Sequence, residues 1–202
     1  MKHILKFAVS WCCRLLILPL LAIVRLMEIF IHTDQPFQFG AHTVSLIPGF
    51  LGNYFRKEYY RLTLKRCDAD ICVEFGTILH QASVELGRRV YIGTNCSIGE
   101  CMIDDDAMIG SNVDIISGRN QHNFGQLDMA IREQGGSLTP IVIGTDCWIG
   151  NSAVVMASVG EKSIVGAGSV VVDDIEPYAI VAGNPARLLR KRPGYVRKVS
   201  GG

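Results

Sequence analysis

The sequence contains no CxxC pair and no cysteine and histidine ligand set, and its seven cysteines are an odd number from which no complete disulfide framework can be closed. Zinc ribbons, redox dithiols and disulfide-stapled secreted domains are set aside, and the thiols read as free in a reducing compartment. Neither charge is in excess, since 20 Lys and Arg face 19 Asp and Glu. The broad basic field of a nucleic-acid binder is absent. Also missing are the GxSxG elbow of an esterase, the GxxxxGK[ST] phosphate loop and the GxGxxG dinucleotide fingerprint, so hydrolase, kinase and dehydrogenase chemistries lack their groups. What remains is 202 residues, enough for one compact domain with an appendage, and an apolar fraction of 49%, too rich for a disordered chain.

Much of that apolar content sits in residues 4–31, where only Lys6, Arg14, Arg25 and Glu28 carry charge. On a helix His3, Arg14 and Arg25 fall in line, with Ser10 and Glu28 close to Arg14, giving one narrow polar stripe on an otherwise apolar surface. The uncharged run Leu15 to Val24 is shorter than the roughly 20 residues that span hydrocarbon, and Pro19 is expected to kink it. The segment therefore reads as an anchor lying in or re-entering a membrane rather than a simple span. A signal peptide fits less well, because no small-residue cleavage site follows and Arg14 interrupts the apolar region. Residues 1–48 form this anchor and a linker, and residues 49–70 a basic amphipathic helix. Within it Arg56, Lys57, Arg61, Lys65 and Arg66 could meet anionic headgroups or form a solvated face.

From about residue 71 the texture changes to short β-branched pieces with a six-residue period. Leu86, Ile92, Ile98, Ile103 and Ile109 open the series, and Ile143, Ile149, Val155, Val159 and Val165 resume it. Four residues after an aliphatic stands a compact side chain: Val90, Cys96, Ala107, Val113, Cys147, Ala153, Ser163 or Ser169. Neither a helix nor a half-buried strand repeats at six. One flat side of a prism does, with three sides to a coil of about 18 residues and the aliphatics stacked into a continuous core. The glycine that usually follows each aliphatic eases the corner, where a Cβ has little room. The expected fold is mainly β, a parallel β-helix over residues 71–182, followed by a basic tail at 183–202. The steps Ile98 to Ile103 and Val155 to Val159 are short and call for local distortion. Residues 117–140 cannot keep the period and should loop out, as functional excursions from compact scaffolds do.

Of five histidines, His3 and His32 belong to the anchor, His42 to the linker and His80 to the first coil; His122 alone lies in the extruded loop. Imidazole can take a proton near neutrality, so His122 is the candidate general base. Cys96 and Cys147 occupy the compact position of the repeat and read as packing residues. Asp104, Asp105 and Asp106 face different ways on a coil and read as surface residues, not a metal site.

The motifs PIVIGTDCWIGNSAVV (residues 140–155), IVGAGSVV (164–171) and YAIVAGNPARLLRKR (178–192), in that order, resemble those of the hexapeptide-repeat O-acetyltransferases, including galactoside, maltose and polysaccharide-modifying enzymes. The likeness covers roughly residues 49–192. It implies left-handed coils, a homotrimer with active sites between neighbouring prisms, acetyl-CoA as donor without a metal, and His122, in SGRNQHNF, as base. It further implies a pantetheine arm passing Asn151 and the Ala167-Gly168 pair, and Arg187 and Arg190 on the CoA phosphates. Val172-Asp173 departs from the usual Thr-Lys, a loss for which Lys191 or Arg192 could compensate. Trp148 reads as capping a coil or packing at a subunit boundary, and Asp114, Asp128 or Glu133 could orient the imidazole.

The function expected is O-acetylation of a sugar hydroxyl on a lipid-linked saccharide or surface-polysaccharide precursor. Acetyl-CoA is cytosolic and Lys2 and Lys6 favour a cytoplasmic N-terminus, so the expected location is the cytoplasmic face of the bacterial inner membrane. N-acetylation of an amino sugar, transfer of a longer acyl group and a non-catalytic trimeric scaffold stand as alternatives. A zinc hydratase on the same prism would need three histidines, and the repeat region holds only His80 and His122.

Overall fold

The computed structural model describes residues 2–195, with side chains from residue 7 onward. The side chains of Lys2, His3 and Lys6, and residues 196–202 of the basic tail, lie outside the described residues. Three helices open the chain: α1 (Lys2–Phe30), α2 (Gln35–Ser45) and α3 (Gly49–Thr63). Pro19 lies inside α1 without ending it.

The prism follows. Its first coil is β1 (Arg66–Cys67), β2 (Cys72–Val73) and β3 (Ile78–Leu79), its second β4 (Glu85–Leu86), β5 (Tyr91–Ile92) and β6 (Ser97–Ile98). The third is β7 (Cys101–Ile103), β8 (Met108–Ile109) and β9 (Asp114–Ile115). After the loop come β10 (Ile141–Ile143), β11 (Trp148–Ile149) and β12 (Val154–Val155). Val159 bridges into a fifth coil with β13 (Ile164–Val165) and β14 (Val170–Val171), and Ile175 into a sixth with β15 (Ala179–Ala182). An antiparallel strand, β16 (Arg187–Lys191), pairs with β15 at the end of its sheet. Every other ladder is parallel, and the strands form three sheets: A (β1-β4-β7-β10), B (β2-β5-β8-β11-β13-β15-β16) and C (β3-β6-β9-β12-β14).

The six-residue period works as expected. Ile92, Ile109, Ile149 and Val165 stand in register up sheet B, and Leu79, Ile98, Ile115, Val155 and Val171 up sheet C, all essentially sealed from solvent. Fully burying each such side chain contributes about 1.5–3 kcal/mol. The irregular steps all fall at one edge, where sheet C hands over to sheet A: Leu79 to Leu86 is long, Ile98 to Ile103 and Val155 to Val159 are short, and the loop from Ile115 to Ile141 leaves there too. The other two edges keep their spacing, so the prism absorbs every irregularity on a single side.

The glycines that follow the stacked aliphatics serve close approach rather than backbone conformation. A Cβ on Gly150 would lie 2.5 Å from the amide nitrogen of Ala167 in the next coil. The left-handed corner is taken two residues later by short polar side chains such as Asn95, Asn112 and Ser152, at φ 55 to 59°. Cys96 and Cys147 are buried at the compact position, and burial pushes the Cys147 thiol up to about 11.

Two boundaries differ from the sequence reading. The linker holds α2, and the first coil starts at Arg66 rather than 71. No glycine follows Cys67, Val73 or Leu79, so the repeat has no visible start. The basic face of residues 51–66 is corrected as well. Arg56 is fully buried, donating from Nε to Val73 O (2.7 Å) and from Nη1 to Ile47 O (2.7 Å) and Val44 O (3.2 Å), with Asn53 on Nη2. One guanidinium thus joins the end of α2, the α2–α3 turn and β2. Glu58 is buried too. It accepts from Ser10 Oγ and from Arg14 Nε (2.8 Å), with Arg61 at 3.3 Å and Lys57 at 3.8 Å. Burial alone would raise this carboxyl, but the Ser10 and Arg14 hydrogen bonds and the Arg61 charge hold it below its ordinary value. The polar stripe of α1 therefore faces protein through Ser10 and Arg14, and its apolar flank faces outward.

Candidate active site

The extruded loop is a braced stem. Thr139 donates to Ser117 O (2.9 Å), Ser137 to Asn120 O (2.8 Å) and Asn123 to Gly135 O (2.8 Å), so its two arms pair. Further out the Gln134 amide spans the loop, donating to Gln126 O (2.7 Å) and Met129 O (2.8 Å). Gly136 packs beneath the Gln121–His122 peptide, where a Cβ would lie 2.9 Å from the His122 nitrogen. Arg119 pairs with Asp173 at 2.8 Å and ties the stem to the fifth coil. Asp173, the residue that departs from the usual lysine, thus has a role of its own.

His122 stands exposed on this stem and lines an open cavity of about 450 Å³ with Asn120, Asn123, Phe124, Gln126 and Gln134. Among the described residues its ring has no hydrogen-bond partner. Glu133 pairs with Arg132 at 3.7 Å, and Asp114 lies close enough to His80 to act on that ring's charge, so neither orients His122 within one chain. An exposed imidazole on a rigid arm is free to reach a hydroxyl.

Asn151, Ala167 and Gly168 lie at a different edge, between sheets B and C. There a polar side chain in one coil accepts the amide of the coil before it: Ser111 Oγ from Thr94 N (3.2 Å) and Asn151 Oδ1 from Ser111 N (3.0 Å). Ala167, next in the column, has no oxygen to offer. The exposed Asn151 N–H has no protein acceptor among the described residues, leaving a donor on the surface for a ligand carbonyl. Ala167 and Gly168 are exposed, with Gly168 at φ 68° and nothing around its Cβ position. An elongated ligand with amide groups has an unobstructed path here.

Arg187 and Arg190, three apart on β16, would face opposite ways on a regular strand. A bulge at Leu189 prevents this: Arg187 pairs with Ala182 and Arg190 with Ile180, two residues of one face of β15. Both exposed guanidiniums are carried on the same side, suited to phosphate oxygens. Lys191 and Arg192 do not stand in for the missing lysine, because Lys191 pairs with Glu176 at 2.8 Å and Arg192 with Asp146 at 2.9 Å. Trp148 caps no coil. It is 53% exposed in the middle of sheet B, in an outward column with Tyr91, Met108 and Ile164. Among the described residues no group of three His, Cys, Asp or Glu is placed to hold a metal ion.

One chain therefore carries the parts separately. His122 and Asn151 belong to different edges, no hydrogen bond joins them, and the cavity that His122 lines contains none of Asn151, Ala167 and Gly168. The bulge at Leu189 and the Arg119–Asp173 tie escaped the sequence reading; neither leaves a local pattern.

Residues 140–172, which include the WIG and GAG motifs, match the family model described as the hexapeptide repeat of succinyl-transferase. The match identifies hexapeptide repeats in that stretch of the parallel coils. It is 36% identical over 114 residues to a Staphylococcus aureus (strain COL) protein assigned to the acetyltransferases by name alone, covering 54% of this chain and 55% of that one. It is 32% identical over 117 residues to the galactoside O-acetyltransferase of Escherichia coli (strain K12), with the same shares. The chain spans about half the length of the curated relatives it matches. In structure it resembles a hexapeptide-repeat acetyltransferase of Vibrio cholerae O1 biovar eltor complexed with acetyl coenzyme A, at 26% identity and a TM-score of 0.65, over 76% of this chain and 86% of that one.

Proposed function

We propose that the protein is an acetyl-CoA-dependent O-acetyltransferase acting as a homotrimer on a sugar hydroxyl of a lipid-linked saccharide or surface-polysaccharide precursor, at the cytoplasmic face of the bacterial inner membrane. The observation that carries the reading is the exposed His122 on a braced stem, in a chain whose opposite edge offers an open amide beside Ala167 and Gly168. In this reading the His122 of one copy meets the Asn151–Ala167 column of a neighbour, and the outward column of Tyr91, Met108 and Trp148 is the surface that copies bury. The acetyl coenzyme A complex of the Vibrio cholerae relative supports the choice of donor.

The chemistry needs few parts because a thioester is already activated. His122 takes the proton of the acceptor hydroxyl, the oxygen attacks the acetyl carbonyl, and backbone N–H groups stabilise the oxyanion. Collapse breaks the carbon–sulfur bond, and the leaving thiolate takes the proton back from the imidazolium. Arg187 and Arg190 hold the phosphates, and the Asn151 N–H meets a pantetheine carbonyl.

Membrane association is supported by the inversion in α1. With Ser10 and Arg14 turned in to Glu58, Phe7, Leu15, Leu16, Leu26, Ile29 and Phe30 stand exposed. By length and composition Phe7–Phe30 suffices to cross a bilayer. Cys13, Ile17 and Val24, however, are buried along the helix, and α1 packs on both α2 and α3. A helix docked lengthwise presents a flank to the interface, not an end. Incubation with acetyl-CoA and lipid-linked glycans tests the whole: acetylated product that vanishes with His122→Ala supports it, and undiminished transfer by that variant removes the base.

A further inference from the structure

Where α1 meets α3, a small cavity of about 170 Å³ is lined by Phe7, Ser10, Trp11, Arg14 and Arg61. The mechanism above uses none of these side chains. Beside it stands the buried Glu58, on which Arg14, Arg61 and Lys57 converge; Lys57 itself reaches over the Tyr54 ring at 4.7 Å, outside the cavity. Three cations thus serve one carboxylate, an excess of two positive charges. Ser10 Oγ engages one Glu58 oxygen, and Arg14 the other, from Nε and Nη2 at 2.8 Å each, while Arg61 Nη1 stands further off at 3.3 Å. Arg14 Nη1 and Arg61 Nε and Nη2 find no acceptor among the described residues. On the other wall, Phe7 and Trp11 pack edge-on with ring centres 6.0 Å apart, and the Arg14 guanidinium lies 5.1 Å from the Trp11 ring centre. Phe7, Trp11, Leu15 and Leu18 stand exposed on one stripe of α1, next to Arg14.

We infer that this cavity binds the terminal phosphate of a membrane lipid, with Arg14 and Arg61 donating to its oxygens and the acyl chains lying along the stripe from Phe7 to Leu18. A phosphate monoester carries about −1.5 to −2 charges at pH 7, which matches the excess on the cluster. The two groups that face the cavity are guanidiniums, whose planar donor forks suit phosphate oxygens. Uncompensated cations side by side repel, and more strongly beside hydrocarbon than in water, so an anion between them stabilises the docked head. The indole of Trp11 fits the same boundary, with one face to the apolar stripe and the other to a charge. The volume is well under the roughly 300–1,000 Å³ of small-molecule sites, so the cavity takes a headgroup and leaves the rest of the ligand outside. Free phosphate would satisfy the arginines but leave the stripe uncovered, which is why a lipid is the better occupant. The inference rests on the membrane part of the proposed function and is independent of acetyl transfer.

The test uses the full-length chain in detergent, following tryptophan emission as dihexanoyl phosphatidic acid, dihexanoyl phosphatidylcholine or inorganic phosphate is added, with Trp11→Phe assigning the signal. The expected result is a saturable Trp11 response to phosphatidic acid, weakened about tenfold in Arg61→Gln and less in Arg61→Lys. Hydrogen exchange in α1 should stay unchanged in these variants, because Ser10 and Arg14 still hold Glu58. An equal response to phosphatidylcholine, a response to inorganic phosphate as strong as that to phosphatidic acid, or full affinity in Arg61→Gln would overturn the inference. Flotation with phosphatidylcholine vesicles, with and without phosphatidic acid, separates this site from the reading it rests on. A chain that floats with both vesicles alike and gives no Trp11 response in detergent loses the site and keeps its membrane association. Saturable phosphatidic acid binding by a chain that floats with neither vesicle keeps the site and removes the membrane reading instead.

Discussion

The helical head and the prism solve the same problem with opposite patterns. In the prism the aliphatics point inward and the polar groups stay at the edges, where they are free to meet ligands. In the head, Arg56 and Glu58 are buried at the centre while Leu16, Leu26 and Phe30 stand outside. Water alone would not select the second arrangement, since exposed apolar side chains gain nothing there. The polar residues of the head tie α1 to α3, and on the proposed reading its exposed apolar flank meets a membrane.

The comparison can be broken at several points. The largest effect belongs to the edge of the prism: His122→Ala is expected to lower acetyl transfer about 10²–10⁴-fold while leaving the melting temperature and CoA binding intact, since the ring is exposed and unbonded. Next is the core. Ile149→Ala should cost about 2–5 kcal/mol in chemical unfolding, whereas its outward neighbour Trp148→Ala should cost the protomer little and instead weaken assembly in sedimentation experiments. Third is the head, where Glu58→Ala should cost about 3 kcal/mol, read as faster hydrogen exchange in α1 with the coils unchanged. Because the Glu58 carboxyl is held below its ordinary value in the fold, its stabilisation is present above the usual carboxylate range. It fades as pH falls through the folded value, so α1 should loosen in acid before the prism does. Smallest is the tail strand: deleting Leu189 leaves Arg187 and Arg190 two apart on a regular strand and still on one face, so CoA binding should be kept, whereas Arg187→Ala should weaken it about tenfold.

Legibility in the sequence divides along the same line. The prism was readable because each buried aliphatic is encoded locally and repeats: Ile92, Ile109 and Ile149 announce themselves at a spacing that no other structure uses. The first coil was less so, since Cys67, Val73 and Leu79 lack the following glycine. The stripe through Ser10 and Arg14 was visible, but a local pattern does not reveal whether water or a buried carboxylate faces it. Glu58 lies 44 residues from Arg14, and nothing near either one marks the pair. The cavity shared by Trp11 and Arg61 was hidden for a related reason, because only the packing of α1 on α3 brings them together. The bulge at Leu189 shows only in its pairing with β15. His122 was found from its place in the extruded loop and Arg187 from motif resemblance, while the separation of His122 from Asn151 on two edges needed the fold.

That separation yields the most direct measurement. Co-expressing His122→Ala chains with Ala167→Trp chains, the latter blocking the exposed column, tests whether one working site draws on two copies. The account predicts that each variant alone is inactive and that mixed assemblies regain acetyl transfer, because an intact imidazole then meets an intact column across an interface. Mixed assemblies as inactive as their parents would contradict it and place both halves of the site within a single chain.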